Sequence, residues 1–462
     1  MTPDLDVFIA DHDIRDVTHD SREVRPGSLF VCIPGDSVDG HDFAADAVSA
    51  GAAALVCERS LGLEVPQCVV PDARAALADA AVAVWGDPSR SLVTVGVTGT
   101  AGKTTVTHLI GEALRHAGMS SVVFGTLSGE RTTPEASDLQ RRLATERDAG
   151  TESVVMEVSS HALDLHRVRG TSFDVAVFTN LGHDHLDFHH TMEDYFAAKS
   201  ALFTIEFTNR AVVCVDDVWG QRLADDLSLG PLAVDRCSTG DARDPQLSAA
   251  TSSFAWRAAT SRLETRLIGR YNLTNLIIAA TTLSTLGLSD DQVVEGLSRT
   301  TPVPGRLEVV SFEPGQPAVV VDYAHKPDAL VAALTSVREL TKGRLIVVFG
   351  AGGDRDPSKR APMGDAARAH ADVTYATSDN PRTEDPLAII ADIVGPSADA
   401  SANGWIVEPD RGTAIERAIA AAGPDDLVLI AGKGHETTQT IGTEQFEFDD
   451  RVVARQLLEQ YE

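Results

Sequence analysis

The stretch "LVTVGVTGTAGKTTVTHLIGEAL" (92–114) decides the fold. It reads as a strand, a glycine-rich turn and a helix in direct succession. Glycines let backbone N–H groups close around phosphate oxygens, and the positive end of the helix dipole adds to that attraction. Lys103 is spaced to reach the β- and γ-phosphates of a nucleotide, and the Thr104 hydroxyl to bind Mg²⁺. The spacing is not that of the standard Walker loop, because Val97 stands where its first glycine would be. The match is Gly-Thr-x-Gly-Lys-Thr-Thr, beginning at Gly99. Such a loop implies ATP use without naming a reaction.

Outward from this loop, apolar runs alternate with helical segments: "SVVF" (121–124), "SVVMEV" (153–158), "FDVAVFT" (173–179) and "AVVCV" (211–215). That alternation predicts βα units and a mostly parallel central sheet. Upstream, "GSLFVCI", "AALVCE" and "QCVV" mark short strands, and "GDPSR" (86–90) reads as a linker. A polar stretch near 240–253 is a loop or the edge of a smaller sheet. "TTPVPG" (300–305) marks a second boundary by its prolines and glycine. Beyond it "AVVVDY", "RLIVVFG", "DVTYAT" and "LVLIAG" alternate with helices again. The expectation is an α/β protein of three domains: 1–89, a central P-loop-type ATPase domain at 90–304, and a Rossmann-like α/β domain at 305–462.

With 39 basic against 68 acidic residues in 462, the chain carries −29, which argues against nucleic-acid or membrane-surface binding. The five cysteines form no Cys-x-x-Cys pair and several sit in apolar runs, as buried free thiols do. No signal-peptide pattern opens the sequence, and no apolar run approaches the ~18–20 residues of a membrane span. A reduced cytoplasmic enzyme fits these features.

Three further features carry chemistry. Glu157, at the end of "VVMEV", lies where α/β sheets bind ligands, so it is placed to hold Mg²⁺ near ATP. Six of fourteen histidines fall between 161 and 190, densest in "NLGHDHLDFHH" (180–190). His183, His185 and Asp187 begin a dinuclear-zinc pattern, but Phe188 breaks its register; His189 and His190 are expected to be solvated loop residues. Finally, "TMEDYFAAKSALF" (191–203) predicts a helix capped by Thr191, with Tyr195, Phe196, Leu202 and Phe203 in one apolar stripe. Lys199, one of only six lysines, falls inside that stripe.

Taken together the motifs resemble the Mur ligases of the MurE type, over nearly the full length. The resemblance rests on "HDSREVRPGSLFVCIPG" (19–35), "GVTGTAGKTT" (96–105), "TTPE" (132–135), "MEVSSHAL" (156–163) and "NLGHDHLDFHHTMEDYFAAK" (180–199). It continues in "GRYNLTNLIIA" (269–279), "PGRLEVV" (304–310), "VVDYAHKPDAL" (320–330), "VFGAGGDRDPSKR" (348–360), "DNPR" (379–382) and "AGKGHET" (431–437). It implies a UDP-binding first domain, a central ATPase and a C-terminal amino-acid-binding domain. It further implies that the D-glutamate γ-carboxylate of UDP-MurNAc-L-Ala-D-Glu is activated as an acyl phosphate and attacked by an amine. Two Mg²⁺ ions would clamp ATP and the acceptor carboxylate.

Carried over by motif, Gly99, Thr100, Ala101, Gly102, Lys103, Thr104 and Thr105 cradle the ATP phosphates, with Asn275, Arg306 and Asp322 also at the nucleotide. Thr104 and Glu157 hold one Mg²⁺; His185 and Lys199, as a CO₂-derived carbamate, help hold the other. Ser21, Thr132, Thr133, Ser159 and Arg167 match contacts to the UDP-sugar peptide. Lys103, Glu157, His185 and Lys199 are the implied catalytic set. Three residues depart from the family pattern: Ala101 and Arg131 replace asparagines, and Leu165 stands where some members have glutamine.

"DNPR" marks members that add meso-diaminopimelate, whose second carboxylate suits the planar fork of Arg382. Arg355, Asp379, Asn380, Pro381, Gly432 and Glu436 match the remaining amino-acid contacts. The expected partners are small molecules only, with no nucleic acid or membrane, and the chain is expected to be a monomer. The alternatives are a related ligase adding L-lysine or another amino acid, or using another acceptor as folylpolyglutamate synthases do, a non-catalytic Mur-like scaffold, and a zinc hydrolase.

Overall fold

The computed structural model describes residues 5–460 apart from 36–37, 129–130, 314 and 396–404, and omits the side chain of Asp187. Its contacts divide the chain into two compact units, Met1–Ser238 with Ile278–Gly296, and Thr239–Ile277 with Leu297–Glu462.

The first unit opens with a parallel sheet in the order β1 (Asp16–Thr18), β2 (Ser28–Val31), β3 (Ala54–Cys57), β4 (Gln67–Val69). Strand β2 is buried on both faces: Leu29 and Val31 pack with Leu77 of the helix Ala73–Trp85, while Phe30 packs with Ala47. That helix stops at Gly86, whose φ of +71° suits glycine. The expected linker after it is packed structure. Pro88–Ser91 form a 3-10 turn, and buried Ser89 accepts from the Ser172 N–H at 3.0 Å.

The same unit holds a six-stranded, wholly parallel sheet. Its strands are β5 (Val93–Thr98), β6 (Ser121–Phe124), β7 (Ser153–Glu157), β8 (Val175–Phe178), β9 (Arg210–Cys214) and β10 (Ala233–Cys237), in the order β10-β9-β8-β5-β7-β6. Central β5 shares its register with β7 on one side and β8 on the other. Everything that follows β5, β7 and β8 therefore emerges at one carboxyl edge, where parallel α/β sheets bind ligands.

In the second unit the polar stretch near 240–253 becomes part of a small antiparallel sheet, β11 (Arg243–Leu247), β12 (Ser252–Ala255) and β13 (Arg262–Thr265). Its main sheet comprises β14 (Glu308–Ser311), β15 (Ala318–Asp322), β16 (Leu345–Phe349), β17 (Val373–Ala376), β18 (Trp405–Val407) and β19 (Leu427–Ala431). They lie in the order β14-β15-β19-β16-β17-β18, parallel except for the edge strand β14. Val319 and Val321 face a core with Ile415, whereas Val320 faces one with Leu334 and Met363. Helices thus cover both faces, as a continuous apolar run in a parallel strand requires. A hairpin, β20 (Thr438–Ile441) and β21 (Glu444–Glu447), follows β19. All five cysteines are buried and free. Among the described residues no helix is long and apolar enough to cross a membrane.

Candidate active site

The phosphate loop runs from β5 into the helix Lys103–His116, which begins after Gly102 at φ +86°. Gly99, at φ +149°, lies so close to the next strand's loop that a Cβ there would sit 1.8 Å from Thr179 Oγ1. Glycine is required at that point by space as well as by backbone angle. The loop is held from behind by the segment after β8. Asn180 accepts from the Ala101 N–H at 3.0 Å, its backbone oxygen accepts from the Thr100 N–H at 2.9 Å, and Thr179 donates to the Ala101 carbonyl at 2.7 Å. Position 101 thus contributes its backbone here, which alanine supplies as well as asparagine.

Glu157 ends β7 beside this loop. The Thr104 hydroxyl lies 3.1 and 3.0 Å from its two carboxylate oxygens, and the Thr126 N–H donates to Oε1 at 2.8 Å. A cavity of about 130 Å³ opens here, lined in part by Thr104, His108, Gly125 and Glu157. A buried carboxylate, a hydroxyl and adjoining space form an all-oxygen set that fits Mg²⁺, an ion that takes one or two protein ligands and completes its shell with water and phosphate.

Lys199 is 1% exposed, so it does not reach solvent. The helix Met192–Ser200 that carries it is capped by Thr191, which accepts from the Asp194 N–H at 3.1 Å. The helix ends at Ser200, so Leu202 and Phe203 extend the apolar stripe from the turn that follows. The Lys199 ammonium donates to the Gly99 carbonyl at 2.8 Å and lies 4.6 Å from the ring centre of Tyr195, one helical turn back. Burial drives its pKa well below the ordinary 10.5; nearby Lys103 adds to the fall and Asp184 opposes it. Tyr195 also bonds to Thr100 at 3.2 Å, and burial raises its phenol pKa.

His185 joins the same cluster. Its ring meets Tyr195 edge-on at 6.0 Å and His161 at 4.9 Å, and its Nε2 lies 3.4 Å from Asp184. His190 is exposed as expected, but His189 is not a solvated loop residue. It is buried in the short helix Leu186–His189, stacked on Tyr195 and bonded to Ser160 at 2.9 Å. Among the described residues no three His, Cys, Asp or Glu side chains are placed to hold a metal together. The side chain of Asp187, which the zinc alternative needs, lies outside them.

Around the far end of Glu157, the Thr133 hydroxyl donates to the Glu157 carbonyl at 2.9 Å and accepts from the Ser159 N–H at 3.1 Å. Arg167 donates to the Thr133 carbonyl at 3.4 Å and pairs with Glu135 at 2.8 Å. Burial lowers the pKa of Arg167 and Glu135 opposes this, yet the buried Arg167 Nε has no hydrogen-bond partner among the described residues. Thr132 lies 3.4 Å from Thr126, while Arg131 pairs with Glu135 at 2.5 Å. Ser21 sits in a 3-10 turn after β1 whose cap is Asp20.

In the second unit, the amino-acid candidates gather at the carboxyl edge of β16, β17 and β19. Asn380 donates to Glu436 at 2.9 Å, and a Cβ on Gly432 would sit 2.7 Å from Asp379 Oδ2. Arg382 has a left-handed backbone, φ +52°, and its guanidinium donates to the Gly353 carbonyl at 2.7 Å. A Cβ on Gly352 would sit 3.1 Å from Arg382 Nη1 and 3.6 Å from the side chain of the exposed Arg355. Asp322 ends β15 and accepts from the N–H groups of Leu307 and Ala324, each at 2.8 Å. Burial raises its pKa, against the pull of Arg306 and those donors. Arg306 lies over the Tyr323 ring at 4.5 Å, with a buried Nε that has no hydrogen-bond partner among the described residues. Asn275 is buried and bonds to Asn272 at 3.2 Å.

Sequence reasoning missed Asn180, Tyr195 as the platform beneath Lys199, and Lys433, a fully buried cation beside Asn380 and Glu436. Asn180 could have been found as the first amide side chain after β8, next to Thr179. Lys433 could have been found by the rarity that singled out Lys199.

Three family models match in order: the Mur ligase family catalytic domain at 13–91, the Mur ligase middle domain at 97–283, and the glutamate ligase domain at 305–434. The chain belongs to the Mur ligase family. The zinc-hydrolase alternative falls with that assignment. This Mur ligase is 44% identical, over 96% of its length and 94% of the relative's, to a protein of Geobacillus thermodenitrificans named UDP-N-acetylmuramoyl-L-alanyl-D-glutamate–2,6-diaminopimelate ligase. A Synechocystis protein of the same name is 46% identical over 95% of this chain and 91% of that one. A solved structure with that name superposes at a TM-score of 0.71 and 32% identity, covering 97% of this chain and 95% of the other.

Proposed function

We propose that this Mur ligase joins meso-diaminopimelate to the D-glutamate γ-carboxylate of UDP-MurNAc-L-Ala-D-Glu, consuming ATP, in peptidoglycan precursor synthesis. The observation that carries the reading is Arg382, retained in "DNPR" and held at the carboxyl edge next to Asn380, in a chain whose relatives are named 2,6-diaminopimelate ligases. Its planar fork suits the second carboxylate that distinguishes diaminopimelate from lysine. Arg355, Asp379, Asn380, Pro381, Gly432 and Glu436 complete the proposed amino-acid site. Ser21, Thr132, Thr133, Ser159 and Arg167 are proposed for the UDP-sugar peptide, and Asn275, Arg306 and Asp322 for ATP.

In the first step a γ-carboxylate oxygen bonds to the γ-phosphorus of ATP, and the bond to ADP breaks. In the second, the amine nitrogen bonds to the acyl carbon and loses a proton as phosphate departs. The loop from Gly99 to Thr105 would cradle the transferring phosphates, the Thr100 and Ala101 N–H groups being engaged by Asn180 to hold the loop in place, and Lys103 offsets the phosphate charge. Thr104 and Glu157 would hold one Mg²⁺, and His185 with Lys199 as a carbamate the other. Bound there, Mg²⁺ would neutralise charge building on the phosphoryl and acyl oxygens. The chain prepares Lys199 by burying it: a neutral amine has the lone pair that bonds to CO₂, releasing a proton. The domain bounds 1–89, 90–304 and 305–462, a monomeric state and a cytoplasmic location complete the reading.

The test is incubation with ATP, Mg²⁺ and UDP-MurNAc-L-Ala-D-Glu, comparing diaminopimelate with lysine. Phosphate release and tripeptide formation with diaminopimelate alone are expected. Release with lysine alone would reassign the amino acid, and release with neither would defeat the reading.

A further inference from the structure

Lys433 follows β19 between two glycines of left-handed backbone, Gly432 at φ +119° and Gly434 at φ +53°. Its side chain is 0% exposed. An ammonium taken out of water is costly unless each N–H finds an acceptor. Here there are three: the Thr438 carbonyl at 2.6 Å, Glu436 Oε2 at 3.2 Å and Asn380 Oδ1 at 3.3 Å. One acceptor is backbone of β20, and the other two are side chains of the proposed amino-acid site.

The network fixes orientation as well as position. Asn380 Oδ1 accepts from Lys433 and from the Thr440 N–H at 2.9 Å, so its amide nitrogen must face Glu436, to which it donates at 2.9 Å. The same Glu436 oxygen accepts from Lys433, which leaves the other oxygen of that carboxylate outside this bond pattern. Strand β20 then runs along the "DNPR" segment. Gln439 donates to the Asp379 carbonyl at 2.7 Å, and the Arg382 N–H donates to the Thr440 carbonyl at 3.1 Å. Removing the ammonium would leave Asn380 Oδ1 held by the Thr440 N–H alone and take from Glu436 Oε2 one of its two donors, loosening both side chains.

We infer that Lys433 is a positioning residue for the amino-acid substrate: it locks Asn380 and Glu436 so that one face of each is presented to the incoming amino acid. The inference deepens the proposed function and rests on its placement of the amino-acid site. A side chain serving only to hold the fold would, when changed, alter stability or all three substrates alike. A positioning residue would alter one substrate selectively.

The experiment is steady-state kinetics of the full chain with Lys433→Met and Lys433→Arg, varying each substrate in turn. The amino acid varied is whichever one the wild type incorporates, so loss of the diaminopimelate assignment is seen in the wild type alone. The expected result for Lys433→Met is a KM for the amino acid raised at least tenfold, with KM for ATP and for the UDP-sugar peptide within twofold of wild type (~1.4 kcal/mol per tenfold). Lys433→Arg keeps the charge but cannot place one nitrogen among three acceptors, so it should raise the same KM selectively. If Lys433→Met does not fold, as judged by circular dichroism, Lys433→Arg decides. An unchanged amino-acid KM, or equal changes in all three, overturns the inference.

Discussion

Lys103 and Lys199 share one acceptor: the Gly99 carbonyl receives a hydrogen bond from each ammonium at 2.8 Å. Burial is the larger penalty on the Lys199 ammonium, and repulsion from Lys103, which is partly open to solvent, adds to it. Its folded-state pKa lies below 10.5, so between those two values the unfolded chain binds more protons than the folded one. Stability therefore rises with pH through that window and is lowest below the folded-state pKa. A carbamate would replace this repulsion with attraction, placing an anion where a cation neighbours Lys103.

Replacing Lys199 with alanine should cut kcat by on the order of 10²–10³, the range lost when one preorganised charge is removed from a reacting centre. Added formate or acetate should restore part of the rate by taking the carbamate's place. Undiminished turnover in Lys199→Ala would refute the role.

Activity should also depend on dissolved CO₂ and on pH together. Carbamate forms from the neutral amine, so lowering pH through the depressed Lys199 pKa protonates the nucleophile and slows its formation. Enzyme equilibrated in CO₂-free buffer should lose rate, more so at lower pH, and regain it with bicarbonate. Labelled bicarbonate should give a carbamate signal by NMR in wild type and none in Lys199→Ala.

Gly125 tests the Glu157 carboxylate without touching it. A Cβ at position 125 would lie 2.3 Å from Glu157 Oε1. Gly125→Ala should therefore push the carboxylate away from Thr104, raising the Mg²⁺ concentration needed for half-maximal rate at least fivefold. The overpacking itself should cost only ~1–3 kcal/mol, leaving a folded protein in a melting experiment. A wild-type Mg²⁺ requirement would separate Glu157 from the metal.

Arg411 and Asp450 form an ion pair in which both side chains are 0% exposed, with nitrogen–oxygen distances of 2.7 Å. Arg411 also donates to the carbonyls of Ser378 and Ala431, which precede Asp379 and Gly432. Asp450→Asn leaves a buried guanidinium uncompensated and should lower stability by ~3–5 kcal/mol in denaturant unfolding. Replacing both partners with hydrophobic residues should cost much less. Equal losses in the two variants would argue against a charge origin.

The phosphate loop, its sheet and the C-terminal sheet were legible because buried parallel strands are written as apolar runs, such as "LIVVF" in β16. Strand β10 was not, since "AVDRC" is mostly exposed, and the hairpin β20–β21 carries no apolar alternation at all. Lys199 was legible because a helix has a period against which a buried lysine stands out. Lys433 had no such frame, as it lies in a loop whose acceptors come from positions 380, 436 and 438. His189 was misread as solvated for the same reason: the groups that bury it, Ser160 and Tyr195, are supplied by other helices.

Arg382 is the residue we propose as the determinant of the amino acid. Its backbone is pinned in the left-handed region by bonds to Thr440 and Gly442. It donates to Gly353, and a carboxylate reaching it would gain a charge-assisted pair that a lysine substrate, lacking the second carboxylate, cannot offer. Arg382→Ala should raise KM for diaminopimelate by about 10²-fold, the loss of a charge-assisted bidentate contact of ~1.5–3 kcal/mol. Arg382→Lys should recover only part, because an ammonium cannot make the two parallel bonds. Neither variant should change KM for ATP, and both should narrow the preference for diaminopimelate over lysine in direct competition. Diaminopimelate kinetics equal to wild type in Arg382→Ala would take the specificity away from this arginine.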